Sequence, residues 1–190
     1  LKTPVTAIRG LVETIIDDPD MPETTKYRFL GKIKGQCSRL STLVTDLLAL
    51  SRLESQDQTS CNEKIDLRDS IHESVHALTL SGEEKLITLR TDIPKNAVQI
   101  CGDEEALRQA IDNLLDNAVK YTPAGGNIWV RLLTNQSQAI IEVKDTGIGI
   151  DRQAQPRIFE RFFRVDRARS RALGGTGLGL SIVKHVALSH

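Results

Sequence analysis

From Tyr27 to Leu53 the chain carries an apolar residue at almost every step of three or four. Tyr27, Leu30, Ile33, Cys37, Leu40, Val44 and Leu47 form the stripe, and Leu43, Leu48, Leu50 and Leu53 widen it. That period is helical, and a helix of about 30 residues is a rod of roughly 45 Å, longer than the core of a small domain. Before it, Leu1, Val5, Ile8, Leu11, Val12, Ile15 and Ile16 fall on one face of another helix, and the stretch DDPDMPE (Asp17 to Glu23) has the composition of a turn. Residues 1–55 therefore predict a helical hairpin. Two helices with such broad stripes cannot both be covered by packing on each other, whereas a second copy would complete a four-helix bundle. A homodimer is expected. The alternative is a coiled-coil spacer without chemistry. Lys2-Thr3-Pro4 counts against it, because a proline early in a helix caps or bends it and presents its polar neighbours.

Residues 56–64 are polar and read as a linker. After them come a short strand around Ile65 and a helix from Asp66 with Leu67, Ile71, Val75 and Leu78 on one face. Strands follow near Leu86 to Thr91 and Val98 to Cys101, then a helix from Asp103, a good N-cap with Glu104 and Glu105 in the first turn. Pro123, Gly125 and Gly126 end that helix. NIWVRLL and AIIEVKD read as an antiparallel pair around the polar turn Asn135 to Gln138. Strands grouped with helices, without strict alternation, predict an α+β sandwich over residues 65–190.

With 190 residues, 39% of them hydrophobic, the chain can bury one medium core beside an extended helical element. A formal net charge of +0 argues against a general nucleic-acid binder. Cys37, Cys61 and Cys101 are widely spaced and odd in number, so neither a disulfide framework nor a cysteine zinc site is expected, and a reducing cytosol fits. No apolar run approaches the ~20 residues that span a bilayer, and no signal peptide is visible, so an anchor would lie outside this sequence.

The chemistry concentrates in four stretches. In DNLLDNAVKYTP, the helix from Asp103 places Leu107, Ile111, Leu114, Leu115 and Ala118 on a buried face and Asn113, Asn117 and Lys120 on the other. A carboxamide oxygen suits a Mg²⁺ ion already held by phosphates, and a lysine is a point charge for those phosphates; a plain solvated face is the other possibility. In DTGIGI (Asp145 to Ile150) the glycines allow close backbone approach, and Asp145 can accept from an exocyclic amine, or the hexamer is only a turn. GGTGLGLSIVKHV (Gly174 to Val186) puts glycines before an apolar helical run, where free N–H groups can cradle an anion. It is neither a P-loop nor a Rossmann fingerprint. Between the glycine stretches, Arg157, Arg161, Arg164, Arg167, Arg169 and Arg171 suit a segment that closes over a polyphosphate. Glu160 and Asp166 interrupt the run, and the adjacent phenylalanines read as core anchors, which disfavours a nucleic-acid patch.

In that order, DNLLDNAVKYTP, DTGIGI, FERFFRV and GGTGLGL resemble the asparagine, first glycine, phenylalanine and second glycine boxes of sensor histidine kinases, whose catalytic domain has the Bergerat-type ATP fold. LKTPVTAIRG resembles the downstream half of their phosphoacceptor box, and RVDRARSRALGGTGLGLSIVKHV is similar to the phosphate-regulon subgroup. The resemblance spans essentially the whole chain. It implies a dimeric four-helix bundle followed by an ATP-binding α/β sandwich of the histidine kinase, gyrase and Hsp90 type, with ATP and Mg²⁺ as cofactors. It also implies an upstream membrane-anchored sensor, a cytoplasmic core, and a response-regulator receiver domain as partner, with no nucleic acid.

Position by position, the resemblance makes Asn117 the Mg²⁺ ligand, places Asn113 and Lys120 beside the phosphates with Tyr121 next in the site, and makes Asp145 the reader of adenine. Gly147 and Gly149 match the first glycine box, and Gly175, Thr176, Gly177, Leu178 and Gly179 the phosphate loop. Arg164 matches a lid arginine near the transferred phosphoryl, and Thr3 the position that helps orient water when the regulator is dephosphorylated. The family's box reads His-Glu-Leu-Lys-Thr-Pro, so its phosphoacceptor is expected just before Leu1. None of His72, His76, His185 and His190 lies in that helix, so this stretch alone is expected not to phosphorylate itself there. The family usually continues beyond His190 with Gly-Gly and closing strands, so this stretch alone is expected to be impaired in turnover and stability. Two alternatives stay open, an ATP-hydrolysing relative and a dimerisation module that binds no nucleotide. Hydrolysing relatives carry Glu where this chain has Asn113, and intact glycine boxes disfavour the module.

His72-Glu73-Ser74-Val75-His76 also matches the H-E-x-x-H pattern of zinc proteases. No metzincin extension follows. Ile71, Val75 and Leu78 take the apolar face, which leaves both imidazoles at its border or in solvent.

Overall fold

The computed structural model describes residues 2–55, 63–83, 85–166 and 174–190. It divides into two compact units, Leu1–Leu48 with Asp166–Thr176 and Ala49–Val165 with Gly177–His190. Helix α1 is Lys2–Asp17 and α2 is Glu23–Ser55. Pro4 falls in the first turn of α1, where a missing N–H costs no helical hydrogen bond. Arg9 pairs with Glu13 one turn on at 2.7 Å. The turn between the helices closes through Met21 N–H to Asp18 O, and Pro22 O accepts from Thr25 and Lys26 as α2 begins. Glu23 in the first turn and Arg52 in the last complement the dipole of α2. Val5, Val12 and Ile16 on α1 and Tyr27, Leu30, Val44 and Leu48 on α2 are exposed, so the stripes are incompletely covered within one chain.

The second unit holds two small sheets. Strands β1 (Glu63–Asp66) and β3 (Gln99–Gly102) pair antiparallel, Ile65 opposite Ile100. Strands β2 (Thr88–Asp92), β4 (Asn127–Thr134) and β5 (Ala139–Asp145) form the other, in the order β2-β4-β5. The β4–β5 hairpin has the expected antiparallel register, Val130 opposite Val143. Its turn is held by Asn135, whose side-chain oxygen accepts from the N–H groups of Ser137 and Gln138. The β2–β4 pair is parallel, Leu89 opposite Ile128, which requires a crossover. Residues 93–126, carrying β3 and α4 (Glu104–Tyr121), supply it. Strand β2 starts at Thr88, two residues later than the sequence suggests, because Leu86 stands in a turn at φ 55°.

On β4, Ile128, Val130 and Leu132 are buried while their neighbours are not, the two-residue alternation of a half-covered sheet. Helix α3 is Leu67–Glu83 and α5 is Gly179–Ser189. Helix α4 packs against both. Ile71, Leu107, Ile111, Leu115, Leu178, Ile182 and Val186 are among the buried side chains of this core. The buried face of α4 also takes in Ala106, Ala110 and Val119, while Leu114 is only half-buried. The end of α2 joins this unit: Leu50 is buried, Glu54 forms an ion pair with Arg161, and a ring nitrogen of His185 on α5 lies 3.0 Å from the Leu53 carbonyl.

Both ends of α4 are fixed. Asp103 caps its start, accepting from Ala106 N–H at 3.0 Å. The backbone N–H of Asp103 donates to His190 Nε2 at 3.0 Å, so the other ring nitrogen carries the proton and meets Val186 O at 2.9 Å. At the far end Lys85 Nζ donates to the carbonyls of Val119 and Lys120, at 2.7 and 3.3 Å.

Asp66 ties β1, α3 and the approach to β3 together. It accepts from the N–H groups of Arg68 and Val98, and its carboxylate pairs with the Arg68 guanidinium, which also reaches Lys95 O. Among the described residues no helix is long and apolar enough to cross a membrane. Cys37 and Cys101 are free and exposed, and Cys61 lies outside the described residues.

The Arg68 side chain above all, aided by the two backbone donors, holds the Asp66 carboxyl well below the usual carboxylate range. A carboxyl depressed on folding contributes stability fully above its unfolded value of about 3.9 and loses it as pH falls through the folded value. The stability gap between wild type and Asp66→Ala, read by urea unfolding, is therefore expected to be constant from pH 7 to pH 5 and to shrink below pH 4.

Candidate functional site

On α4 the stripe opposite the core carries Asn113, Asn117 and Lys120, all half-buried. Asn113 Nδ2 donates to Gln109 O at 2.9 Å, and its Oδ1 lies 2.5 Å from where a Cβ on Gly179 would stand. The asparagine stripe thus abuts the first residue of α5. The N-cap residue of α5, Leu178, has no side chain that caps the first turn, and the N–H groups of a helix start are where anions commonly bind. Leu178 itself is fully buried and anchors the turn, its carbonyl accepting from Ser181 Oγ and Ile182 N–H.

A second corner forms where β5 ends. Asp145 is exposed, and its Oδ1 accepts from Gly147 N–H at 2.7 Å. The next peptide turns back on α4, with Ile148 N–H donating to Tyr121 O at 3.3 Å. A Cβ on Gly147 would stand 2.6 Å from Asp145 Oδ1 and 2.7 Å from Tyr121 O, so only glycine lets these groups close together. Thr146 locks the corner to β4, its hydroxyl accepting from Asn127 N–H at 2.9 Å. Ile148 and Ile150 remain exposed beside it, with Gly149 between them at φ 69°.

The phenylalanine stretch meets the second glycine box through its backbone. Phe162 N–H donates to Gly177 O at 2.8 Å. Gly177 has φ 79°, and a Cβ there would stand 3.0 Å from the Phe162 Cα. Phe162 itself is held at φ 61° with its ring exposed, rather than serving as a core anchor.

The structure therefore brings Asn113 to Gly179, Tyr121 to Gly147 and Asp145, and Gly177 to the phenylalanine turn. Lys120 is paired with Asp116 one turn back at 3.0 Å, a link legible as an i, i+4 pair. Arg164 is half-buried. Arg157 stacks over the Phe163 ring at 4.5 Å and pairs with Glu160. Arg167, Arg169 and Arg171 lie outside the described residues. Thr3 is in the first turn of α1, and its side chain is likewise outside the described part. Gly175 and Thr176 belong to the first compact unit, where Thr176 donates to Asp46. Sequence reading passed over Asp46, although an acid within LVTDLLAL was the visible signal.

Among the described residues no three His, Cys, Asp or Glu side chains stand where they could share a metal ion. His72 and His76 are exposed, and Glu73 pairs with Arg108 at 3.3 Å. The neutral oxygen of Asn117 suits a hard cation that brings its own anionic ligands, such as Mg²⁺ on phosphates.

Residues 102–190 match the family of histidine kinase-, DNA gyrase B- and HSP90-like ATPases, and residues 1–56 match the His Kinase A (phospho-acceptor) domain. The sensor-like histidine kinase SenX3 of Mycolicibacterium smegmatis is 40% identical over 190 residues, 100% of this chain and 49% of the relative. The phosphate regulon sensor protein PhoR of Pseudomonas aeruginosa is 42% identical over 193 residues, covering 100% of this chain and 43% of the relative. The chain thus spans about half the length of these curated relatives. Among solved structures, the Acinetobacter baumannii histidine kinase AdeS superposes with a TM-score of 0.76 at 26% identity, covering 100% of this chain and 85% of that one.

Gly177→Ala would force a side chain into both a left-handed backbone and the Phe162 main chain. Such strain is worth about 1–3 kcal/mol. A melting temperature several degrees below wild type, measured by calorimetry, is the expected outcome.

Proposed function

The chain belongs to the sensor histidine kinases, and from that membership we propose that it is the catalytic core of an ATP-dependent protein-histidine kinase. The γ-phosphoryl of ATP would pass to a histidine of the phosphoacceptor helix and then to an aspartate on a response-regulator receiver domain, with regulator dephosphorylation as a second activity. The observation that carries the proposal is the convergence within the second unit of Asn113 with Gly179, and of Tyr121, Gly147 and Asp145. Residues 1–55 would be the dimerisation and phosphotransfer hairpin, 56–64 its linker and 65–190 the ATP-binding domain.

ATP with Mg²⁺, when bound, supplies the phosphoryl group and neutralises charge on it. Asn117 would ligate that ion through its side-chain oxygen, Asp145 would accept from the exocyclic amine of adenine, and the first N–H groups of α5 would donate to phosphate oxygens. Lys120 and Arg164 would add positive charge, positioning and charge stabilisation being most of what phosphoryl transfer requires. Asn113 is an amide whose Nδ2 donates to Gln109 O. It cannot take a proton from water as a carboxylate would, which favours transfer over hydrolysis.

The exposed stripes of α1 and α2 support a homodimer through a four-helix bundle. A membrane-anchored sensory part, a cytoplasmic location for this core and Thr3 as a water-orienting residue in regulator dephosphorylation complete the proposal.

Incubation of the full-length protein with γ-labelled Mg-ATP is expected to give acid-labile, alkali-stable label on the protein. Asn117→Ala and Asp145→Ala should each lower it at least tenfold; an unchanged signal in both would refute the site. Val44→Glu, by placing charge in the exposed stripe, should shift the protein from dimer toward monomer in sedimentation equilibrium.

A further inference from the structure

We propose that Lys85 is a positioning residue of the nucleotide site, its ammonium group closing the last turn of α4, the turn from which Lys120 and Tyr121 serve that site. The proposal rests on reading α4 and the Asp145 corner as that site, and every residue it uses belongs to the second unit.

The last four carbonyls of a helix have no partner within it, and in α4 these are Ala118, Val119, Lys120 and Tyr121. Thr122 N–H closes on Ala118 O at 3.0 Å, and Ile148 N–H, from the first glycine box, donates to Tyr121 O at 3.3 Å. Val119 O has no such recourse, because the residue placed to donate to it is Pro123, which has no N–H. Lys85 Nζ fills that role, donating to Val119 O at 2.7 Å and to Lys120 O at 3.3 Å. A positive charge at the C-terminal end of a helix is also favoured by its dipole. The lysine is itself held in place. Its carbonyl accepts from Gly125 N–H at 3.2 Å, and Thr88 N–H donates to Gly126 O at 2.9 Å, so the approach to β2 is clasped to the turn that ends α4.

Without the ammonium group, Val119 O and Lys120 O lose that donor, and the last turn is free to fray as helix ends do. That turn carries Lys120, assigned to the phosphates, and Tyr121, whose carbonyl helps hold the turn that follows Asp145. A ligand that needs the closed turn binds more weakly in proportion to the fraction of molecules in which it is formed. One side chain outside the site thus bears on both its phosphate and its adenine ends.

The test is titration of the full-length protein, in Mg²⁺, with a fluorescent ATP analogue, at a temperature where circular dichroism shows each variant folded. Lys85→Met keeps an unbranched apolar stem but has no donor, and it is expected to bind the probe about fivefold more weakly than wild type, or worse. Lys85→Arg keeps the charge and the donors and should recover most of that loss. Asp66→Ala removes a carboxylate whose partners are Arg68 and Val98 rather than α4, so it lowers stability in the same unit and should bind the probe as wild type does. A methionine variant within twofold of wild type would overturn the proposal, as would an equal loss in Asp66→Ala or an arginine variant no better than the methionine one. If the methionine variant does not fold, Lys85→Gln, which lacks the charge, decides by the same criterion. Asn117→Ala in the same series separates the two ideas. If wild type and Asn117→Ala bind the probe equally, the nucleotide site itself is misassigned and the role of Lys85 falls with it; if Asn117→Ala loses binding, the Lys85 variants judge that role alone.

Discussion

Helix α4 has to satisfy two environments at once, and its rotational setting decides both. Ile111 and Leu115 face the core, while Asn113 and Asn117 stand on the opposite stripe. A rotation by one residue, about 100°, would carry a carboxamide toward the core and an aliphatic side chain out of it. The helix is held against that rotation at both ends, by the Asp103 cap with its His190 contact and by Lys85 on the terminal carbonyls. These anchors are not among the residues assigned to the nucleotide, yet each bears on where the asparagines point.

The glycines work in a related way. At Gly147 the place of a missing Cβ is taken by Asp145 and Tyr121 O, at Gly177 by the Phe162 backbone, and at Gly179 by Asn113. The glycine boxes thus have a packing reason that precedes any ligand. They let strand end, helix and loop approach more closely than side chains would permit, and that approach is what gathers the polar groups. Packing and binding are two consequences of one choice of residue, so a change at these positions acts on both.

Much of this was legible in the sequence because it is local. The long stripe of α2, the Asp103 cap, the β4–β5 hairpin and the polar stripe of α4 each follow from periodicity or turn chemistry within a few residues. The parallel pairing of β2 with β4 was not, since the partner of a strand is set by what lies far along the chain. The late start of β2 depends on the positive φ at Leu86, which nothing in a leucine announces. Phe162 misled for the opposite reason: an aromatic beside aromatics suggests a core anchor, but its backbone serves Gly177 while its ring stays exposed. The Asp46 bond to Thr176 joins residues too distant for any sequence window, leaving only an acid out of place among leucines.

Lys120 and, among the described arginines of the stretch, Arg157 and Arg161 are already engaged within the protein. Lys120 is paired with Asp116, Arg157 with Glu160 and Arg161 with Glu54. All three pairs are substantially exposed, and exposed pairs contribute about 0–1 kcal/mol each. A polyphosphate could recruit those cations at little expense, since water and salt already weaken the bonds it replaces.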